Sequence, residues 1–352
     1  NLIINGAMQV AQRGTSSTST NYQTVDRFEY RFGGTDEAPT QTQADVASGT
    51  TPYTLGFRKS YKIQNGNQTS GADSADNIYL RQRIEAQVIA NSGWNYTSSS
   101  SFITLSFWVK SSVAQNFYGY AQTIDGTKQN YPFETGSLSA DTWTKITKTI
   151  PGNSNLQFDN NVNNGLDLVV VAPFWGTDYT ASSVTLNQWA AQNDSTRTPD
   201  NTSTWYTTDN ATFEITGVQL ELGSVATDFE HRSFADELAR CQRYYFRIPY
   251  QGVSGQSGIM LGSGKETGST ARCCVIFPVP MRAVPSCAAS NLLADDETSA
   301  TSANTVNQVL AGSTEPDRSR IQFTGGSYSS GNSFSLTTSA TTDSYLEGDA
   351  EL

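Results

Sequence analysis

The chain has 352 residues, room for two domains with cores of their own, and carries a formal net charge of −11 with a pI near 4.6. Such an acidic surface repels phosphate backbones and anionic lipid, which argues against nucleic acid and membrane surfaces as partners, and no apolar run approaches the ~18 residues of a membrane span. Only 16% of residues are charged while 11% are aromatic, a balance that suits short strands and many turns rather than disorder.

In chain order, LIIN at 2–5 reads as a short strand closed by Asn5 and Gly6, and a Ser/Thr loop follows to Tyr22. DRFEYRF then alternates, placing Phe28, Tyr30 and Phe32 on one face. YTLGFRKSYKIQN, NIYLRQRIEAQVI and SFITLSFWVKSS continue the pattern; in the last, Ile103, Leu105, Phe107 and Val109 face one way and Phe102, Thr104, Ser106 and Trp108 the other. NFYGYAQTI, WTKITKTIP and LDLVVVAPFW follow at the intervals of an antiparallel sandwich, and the last is long enough only for a buried strand. Eight to ten strands are read before the helix, and in ATFEITGVQLELG Ile215, Val218, Leu220 and Leu222 alternate around a possible bulge at Gly217.

A single helix is predicted next, over most of 234–243. Ser233 stands three residues before Asp236, the pattern of a helix start, and Phe234, Leu238, Cys241 and Tyr245 form one apolar stripe. Arg240 and Arg243 lie near its C-terminal end, where the macrodipole favours positive charge. So short a helix must bury that stripe, either on its own module or against symmetry mates. Beyond it no tryptophan occurs and glycine becomes frequent; CCVIFPVP, RIQFTG, SFSLTT and SYLEGDAEL give a smaller β module, with Pro278, Pro280 and Pro285 forcing the chain to an edge or out of the sheet. The expected class is therefore all-β: two antiparallel β-sandwich, jelly-roll-like modules, 1–232 and 246–352, joined by a helix over 233–245. DDETSATSAN at 295–304 reads as a flexible surface loop.

Little here suggests chemistry. Cys241, Cys273, Cys274 and Cys287 show no paired spacing for zinc and are expected to be reduced, with Cys273 and Cys274 pointing to opposite faces of one strand. His231 is the sole histidine, so a Ser/His/acid triad is not credible. Asp159, Asn161 and Asn163 alternate as in a calcium loop, but Asn164 and Val170 occupy positions that need Gly and Glu, so an Asn-rich turn is the reading. Adjacent Asp295, Asp296 and Glu297 read as solvated loop rather than a catalytic pair. No cofactor and no enzyme activity is expected. The six tryptophans all fall in the first module. Trp143 and Trp175 adjoin apolar strands and read as core; Trp94, Trp189 and Trp205 lie in polar loops and Trp108 faces away from an apolar side, so these four are the candidate carbohydrate contacts, a flat ring against sugar C–H faces with neighbouring amides for the hydroxyls.

GVQLELGSVATDFEHRSFADELARCQRYYF, at 217–246, resembles a segment near the end of jelly-roll domains in tail-fibre and receptor-binding proteins of tailed bacteriophages. NLIINGAMQVAQRG with VDRF is similar to that family's opening, YLRQRIEAQV and FITLSFWVK to its central strands, and FPVPMRAVP to its C-terminal module, in the same order. The resemblance implies a virion protein made in the host cytoplasm that attaches a bacteriophage to host surface glycan, with other virion tail proteins as partners. Its rivals are a purely structural fibre or decoration protein and a polysaccharide depolymerase. It also implies a homotrimer, for which Phe234, Leu238, Cys241 and Tyr245 are the expected contacts. Jelly-roll sugar-binding modules often hold a structural calcium, for which Asp26, Glu214 or Glu221 would be ligands. Residue 1 is Asn rather than Met and no signal peptide is read, which leaves open whether an N-terminal attachment segment precedes it.

Overall fold

Alternating apolar residues close on one another from two sides in the first part of the chain, and that closure makes the sandwich. In the computed structural model, which describes residues 1–249, 262–267, 270–295, 300–303, 305–324, 331, 333–338 and 344–352, twelve strands build two six-stranded antiparallel sheets. The first sheet runs in the order β1 (Ser16–Ser17), β3 (Thr40–Asp45), β4 (Lys59–Gln64), β12 (Thr212–Leu222), β6 (Phe102–Ser111) and β9 (Thr144–Pro151). The second runs β11 (Ala190–Ala191), β8 (Gln129–Ser137), β7 (Asn116–Thr123), β10 (Asn164–Trp175), β5 (Asn77–Glu85) and β2 (Phe28–Gly33). The chain passes repeatedly from one sheet to the other, as in a jelly roll.

The core lies between the sheets. Ile103, Leu105, Phe107 and Val109 of β6 and Phe213, Ile215, Val218 and Leu220 of β12 meet Phe28 and Tyr30 of β2, Ile78, Leu80 and Ile84 of β5, and Leu166, Leu168, Val170 and Val171 of β10. Each such buried side chain contributes ~1.5–3 kcal/mol. Gly217 sits in the left-handed region at φ 64° where β12 slips against β6, so Ile215 and Val218 both reach the core although three positions apart.

Several expected elements differ. LIIN is irregular: Asn5, wholly buried at φ 61°, donates its side-chain amide to the Val10 and Asp26 carbonyls, and the Gly6 carbonyl accepts from Val218 N at 2.9 Å. A Cβ on Gly6 would stand 2.0 Å from the Val218 oxygen, which is why glycine follows Asn5. The start of YTLGFRKSYKIQN forms a helical turn, α1 (Thr51–Thr54), and NIYLRQRIEAQVI ends in a second, α2 (Ala86–Ala90). β3 was not legible in TQTQAD because its inward residue is polar: buried Gln41 accepts from Thr24 and the Tyr61 hydroxyl and donates to the Ser19 carbonyl.

The predicted helix is α3 (Phe234–Gln242), capped as expected: Asp236 N donates to Ser233 Oγ at 3.2 Å, and the two side chains bond at 2.6 Å. The chain divides into two units, Asn1–Glu237 with Leu352, and Leu238–Glu351, so the boundary falls inside α3 rather than on either side of it. The second unit holds a three-stranded sheet (Tyr245–Pro249, Tyr345–Asp349, Ser286–Ser290) and a seven-stranded sheet whose central pair is Gly262–Thr267 with Thr270–Ile276. The strand at Thr270–Ile276 stops before Pro278, and the next begins at Ser286, just past Pro285, as those prolines require. Asp295 closes a strand, Leu292–Asp295, that pairs with Ala300–Ala303, so the expected loop at 295–304 is in part a hairpin; Asp296 and Glu297 lie outside the described residues. No disulfide joins the cysteines, and Cys273 is buried while Cys274 is exposed, as alternation predicts.

Candidate functional site

Inward residues of the second sheet feed the core, so their neighbours in sequence must form its outer face. On β5, Ile78, Leu80 and Ile84 point in and Tyr79, Arg81 and Arg83 stand outside; on β2, Glu29 and Arg31 alternate with Phe28 and Tyr30. β7 contributes Tyr118, Tyr120 and Gln122, and β10 contributes Asp167, Val169, Ala172 and Trp175. These outer residues sort into a charged half and an aromatic half.

The charged half is a network across three strands. Arg81 Nε bonds Glu29 Oε2 at 2.7 Å and its Nη1 bonds Asp167 Oδ2 at 2.9 Å; Arg83 stands 3.5 Å from both carboxylates, and Asn164 donates to Asp167 at 2.6 Å. Register causes this, because Glu29 lies opposite Arg81 and Asp167 opposite Arg83. The side chains are largely covered, with Glu29 4% and Arg81 12% exposed, so both charges depend on their partners.

The aromatic half centres on Trp175. Tyr79 stacks on it with centroids 4.6 Å apart and planes at 24°, Tyr120 lies 6.4 Å and Tyr179 5.1 Å away, and the Arg197 guanidinium sits 5.0 Å from the Trp175 ring and 5.2 Å from that of Tyr179. Asp194 holds Arg197 at 2.5 Å, and this hydrogen bond keeps the Asp194 carboxyl below the ordinary range. Burial pushes the Tyr120 hydroxyl well above an ordinary tyrosine's, so it stays a neutral donor. Trp175 also walls a pocket of about 210 Å³ with Asp73, Ser74, Thr180, Asn201 and Ser203. Its indole Nε1 is buried without a hydrogen-bond partner among the described residues, and so is Arg197 Nε.

The tryptophans therefore fall differently from the expectation. Trp94 and Trp205 are 3% and 0% exposed, their Nε1 groups donating to the Ser101 and Thr212 carbonyls; they are core at the sandwich ends, not ligand contacts. Trp189 is half-buried against the core, with its Nε1 on the Pro151 carbonyl at 2.7 Å. Trp143 is half-buried beneath Lys110 rather than in the core, and Trp175, read as core, belongs to the outer face. Trp108 is half-buried on the outer face of the first sheet, where it walls a separate cavity. Of the helix stripe, Cys241 and Tyr245 are 0% and 2% exposed within the single chain, which removes them from the expected intermolecular contacts; Leu238 is half-buried and Phe234 is 56% exposed.

The three acids considered for calcium do not converge. Asp26 accepts from Gln12, Glu214 from Lys110 and Ser60, and Glu221 from Thr227 and Gln219, and among the described residues no cluster of three or more His, Cys, Asp or Glu could hold a metal. Among the described residues no helix is long and apolar enough to cross a membrane.

No family model and no curated protein matches the sequence. Among solved structures, the chain is similar to the enzymatically active domain of bacteriophage CBA120 tailspike protein 4, at 10% identity and a TM-score of 0.32, over 63% of this chain and 21% of that one. It is similar to a CBM4 module at 13% identity and a TM-score of 0.31, over 63% of this chain and 100% of that one. The tandem CBM22-1-CBM22-2 domain of Paenibacillus barcinonensis Xyn10C gives 9% identity and a TM-score of 0.29, over 99% and 95%. At these scores the likenesses decide neither fold nor ligand, and the all-β sandwich rests on the strand pairing described above.

Proposed function

We propose that the chain is a non-catalytic attachment protein of a bacteriophage virion, a tail fibre or receptor-binding protein whose first unit holds host surface glycan on the outer face of its second sheet. One observation carries the ligand class: Trp175, stacked on Tyr79, walls an open pocket whose other sides are Asp73, Ser74, Thr180, Asn201 and Ser203, so aromatic carbon stands beside hydroxyl, amide and carboxylate groups. A sugar ring laid against that wall would meet aromatic carbon with its C–H face and those polar groups with its hydroxyls. The virion setting is supported by the sequence resemblance alone. Against a catalytic role for Glu29 and Asp167, both are engaged by arginines, where a glycosidase needs one carboxyl free to carry a proton; a depolymerase would have to use Asp73 at the pocket wall or Glu134 of β8.

A glycan array probed with the whole chain tests this, alongside Trp175→Phe and Tyr79→Ala. Trp175→Phe shrinks the aromatic wall of the pocket and is expected to weaken binding about tenfold. Unchanged binding by both variants would move the site elsewhere, and release of reducing ends from host polysaccharide would replace attachment with depolymerisation. The proposal includes a homotrimer, since three copies raise avidity without new contacts; exposed Phe234 and half-buried Leu238 are what remains of the expected interface. Light scattering on the purified chain measures it, and a monomer at micromolar concentration would remove that part.

A further inference from the structure

The opposite face of the sandwich carries a second cavity with no part in that reading. It is about 240 Å³ and is walled by Trp108 of β6, Phe57, Phe229 and His231, with Lys145 of β9 and Asp228 at its rim. Its origin is the slip in β12. At Gly217 the backbone leaves regular alternation, and a Cβ there would stand 2.6 Å from the Phe57 ring, so only glycine lets that ring close the cavity floor. Phe57, Phe229 and His231 lie within about 5 Å of one another, at centroid separations of 4.9, 5.1 and 4.9 Å.

The polar groups are arranged for use. Lys145 lies directly across from Trp108 in the β6–β9 pair. Neither its ammonium nor the Asp228 carboxylate has a hydrogen-bond or ion-pair partner among the described residues, although both line one cavity. His231 Nε2 lies 2.9 Å from the Leu55 carbonyl. A carbonyl only accepts, so Nε2 carries the hydrogen, and in the neutral ring Nδ1 is left as an acceptor. The cavity thus offers flat aromatic carbon, one cationic donor and two acceptors, with charges that cancel.

We propose that this cavity binds a single neutral pyranose ring, which makes the first unit bivalent, with one saccharide site on each outer face. The volume admits one ring and not a chain, and cancelling charges favour a neutral hydroxylated ligand over a uronic acid or an amine. Binding in this cavity does not depend on the Trp175 face; the bivalence alone rests on that reading.

The test follows the six indole N–H resonances of the whole chain by heteronuclear NMR during titration with the methyl glycosides of glucose, galactose and mannose, and with sorbitol as an acyclic polyol. At least one glycoside is expected to shift the Trp108 resonance in a saturable way while sorbitol does not. Lys145→Ala and Asp228→Ala should each weaken that response at least tenfold, and Tyr79→Ala should leave it unchanged. Silence of the Trp108 resonance to all three glycosides overturns the proposal, and so does a shift that sorbitol reproduces or that survives both rim substitutions. Because Trp108 and Trp175 report separately, failure here is distinguishable from failure on the other face.

Discussion

The two outer faces of the first unit come from the same strand alternation but are finished differently. On the second sheet, arginines and acids pair across strands and rings stack beside them, covered until Trp175 is 2% exposed. On the first, Lys110 meets Glu214 at 2.9 Å with the side chains 24% and 11% exposed, and Lys145 at a cavity rim has no ion-pair or hydrogen-bond partner among the described residues. A sheet face turned away from the core is thus not automatically a solvent face. Where register sets opposite charges side by side and a loop supplies a clamp, it acquires a covered polar layer whose members cannot be removed singly.

That contrast can be broken most strongly at Arg81. Arg81→Met strands Glu29 and Asp167 without their main partner and is expected to cost about 3–5 kcal/mol in urea unfolding, while Lys110→Met on the other face strands only Glu214, which keeps its Ser60 hydrogen bond, and should cost less, about 1–3 kcal/mol. Equal costs would mean that the three-strand network is no more interdependent than the single pair. Next in size, Gly217→Ala forces a side chain into the left-handed region against Phe57, for which about 1–3 kcal/mol is expected by thermal unfolding, together with a changed Trp108 environment.

A smaller effect concerns the clamp. Asp194 has its pKa depressed in the folded state, first by the Arg197 hydrogen bond, so its contribution is present above the ordinary Asp value and is lost as pH falls through the folded value. Near-ultraviolet circular dichroism of the aromatic face should therefore change on acidification below about pH 4, and Asp194→Asn should remove that step. With Asp194 75% exposed, the change is expected to be slight. Smallest of all, the second unit repeats the contrast within two adjacent residues. Burial pushes the Cys273 thiol up to about 12 while Cys274 is exposed, so a thiol reagent at pH 8 should label Cys274 and leave Cys273 until the chain unfolds.

The fold was legible where apolar residues alternate, as in β6 and β12, and where a cap stands at the right distance, as at Ser233 and Asp236. It was not legible in TQTQAD, because there the inward position is filled by a hydrogen-bonded glutamine rather than an apolar side chain. The site was harder, since Tyr79, Asp167, Trp175 and Arg197 are brought together by pairing that no local window contains. The polar half of NIYLRQRI did hold a usable signal: once Ile78, Leu80 and Ile84 are set inward, Tyr79, Arg81 and Arg83 must share the other side. Trp94 and Trp205 misled because their loops are polar in sequence yet fold back over the sandwich ends, where each indole N–H meets a backbone carbonyl. Trp175 misled in the opposite sense, because the apolar run before it includes Val170, Val171 and Phe174, which point into the core.

The pairing of β10 with β5 sets a parity rule for this chain. Six steps along β10, from Val169 to Trp175, are matched by four along β5, from Arg81 to Asn77, so two surplus residues are absorbed in irregularities of the ladder. Each surplus residue turns the strand over, and the second turns it back, which is why Val169 and Trp175 share a face while Val170, Val171 and Phe174 enter the core. Length changes in this stretch are therefore expected to survive in pairs. Loss of one residue would rotate Trp175 inward and Phe174 out, whereas loss of two would leave a shorter, regular strand with both surfaces intact.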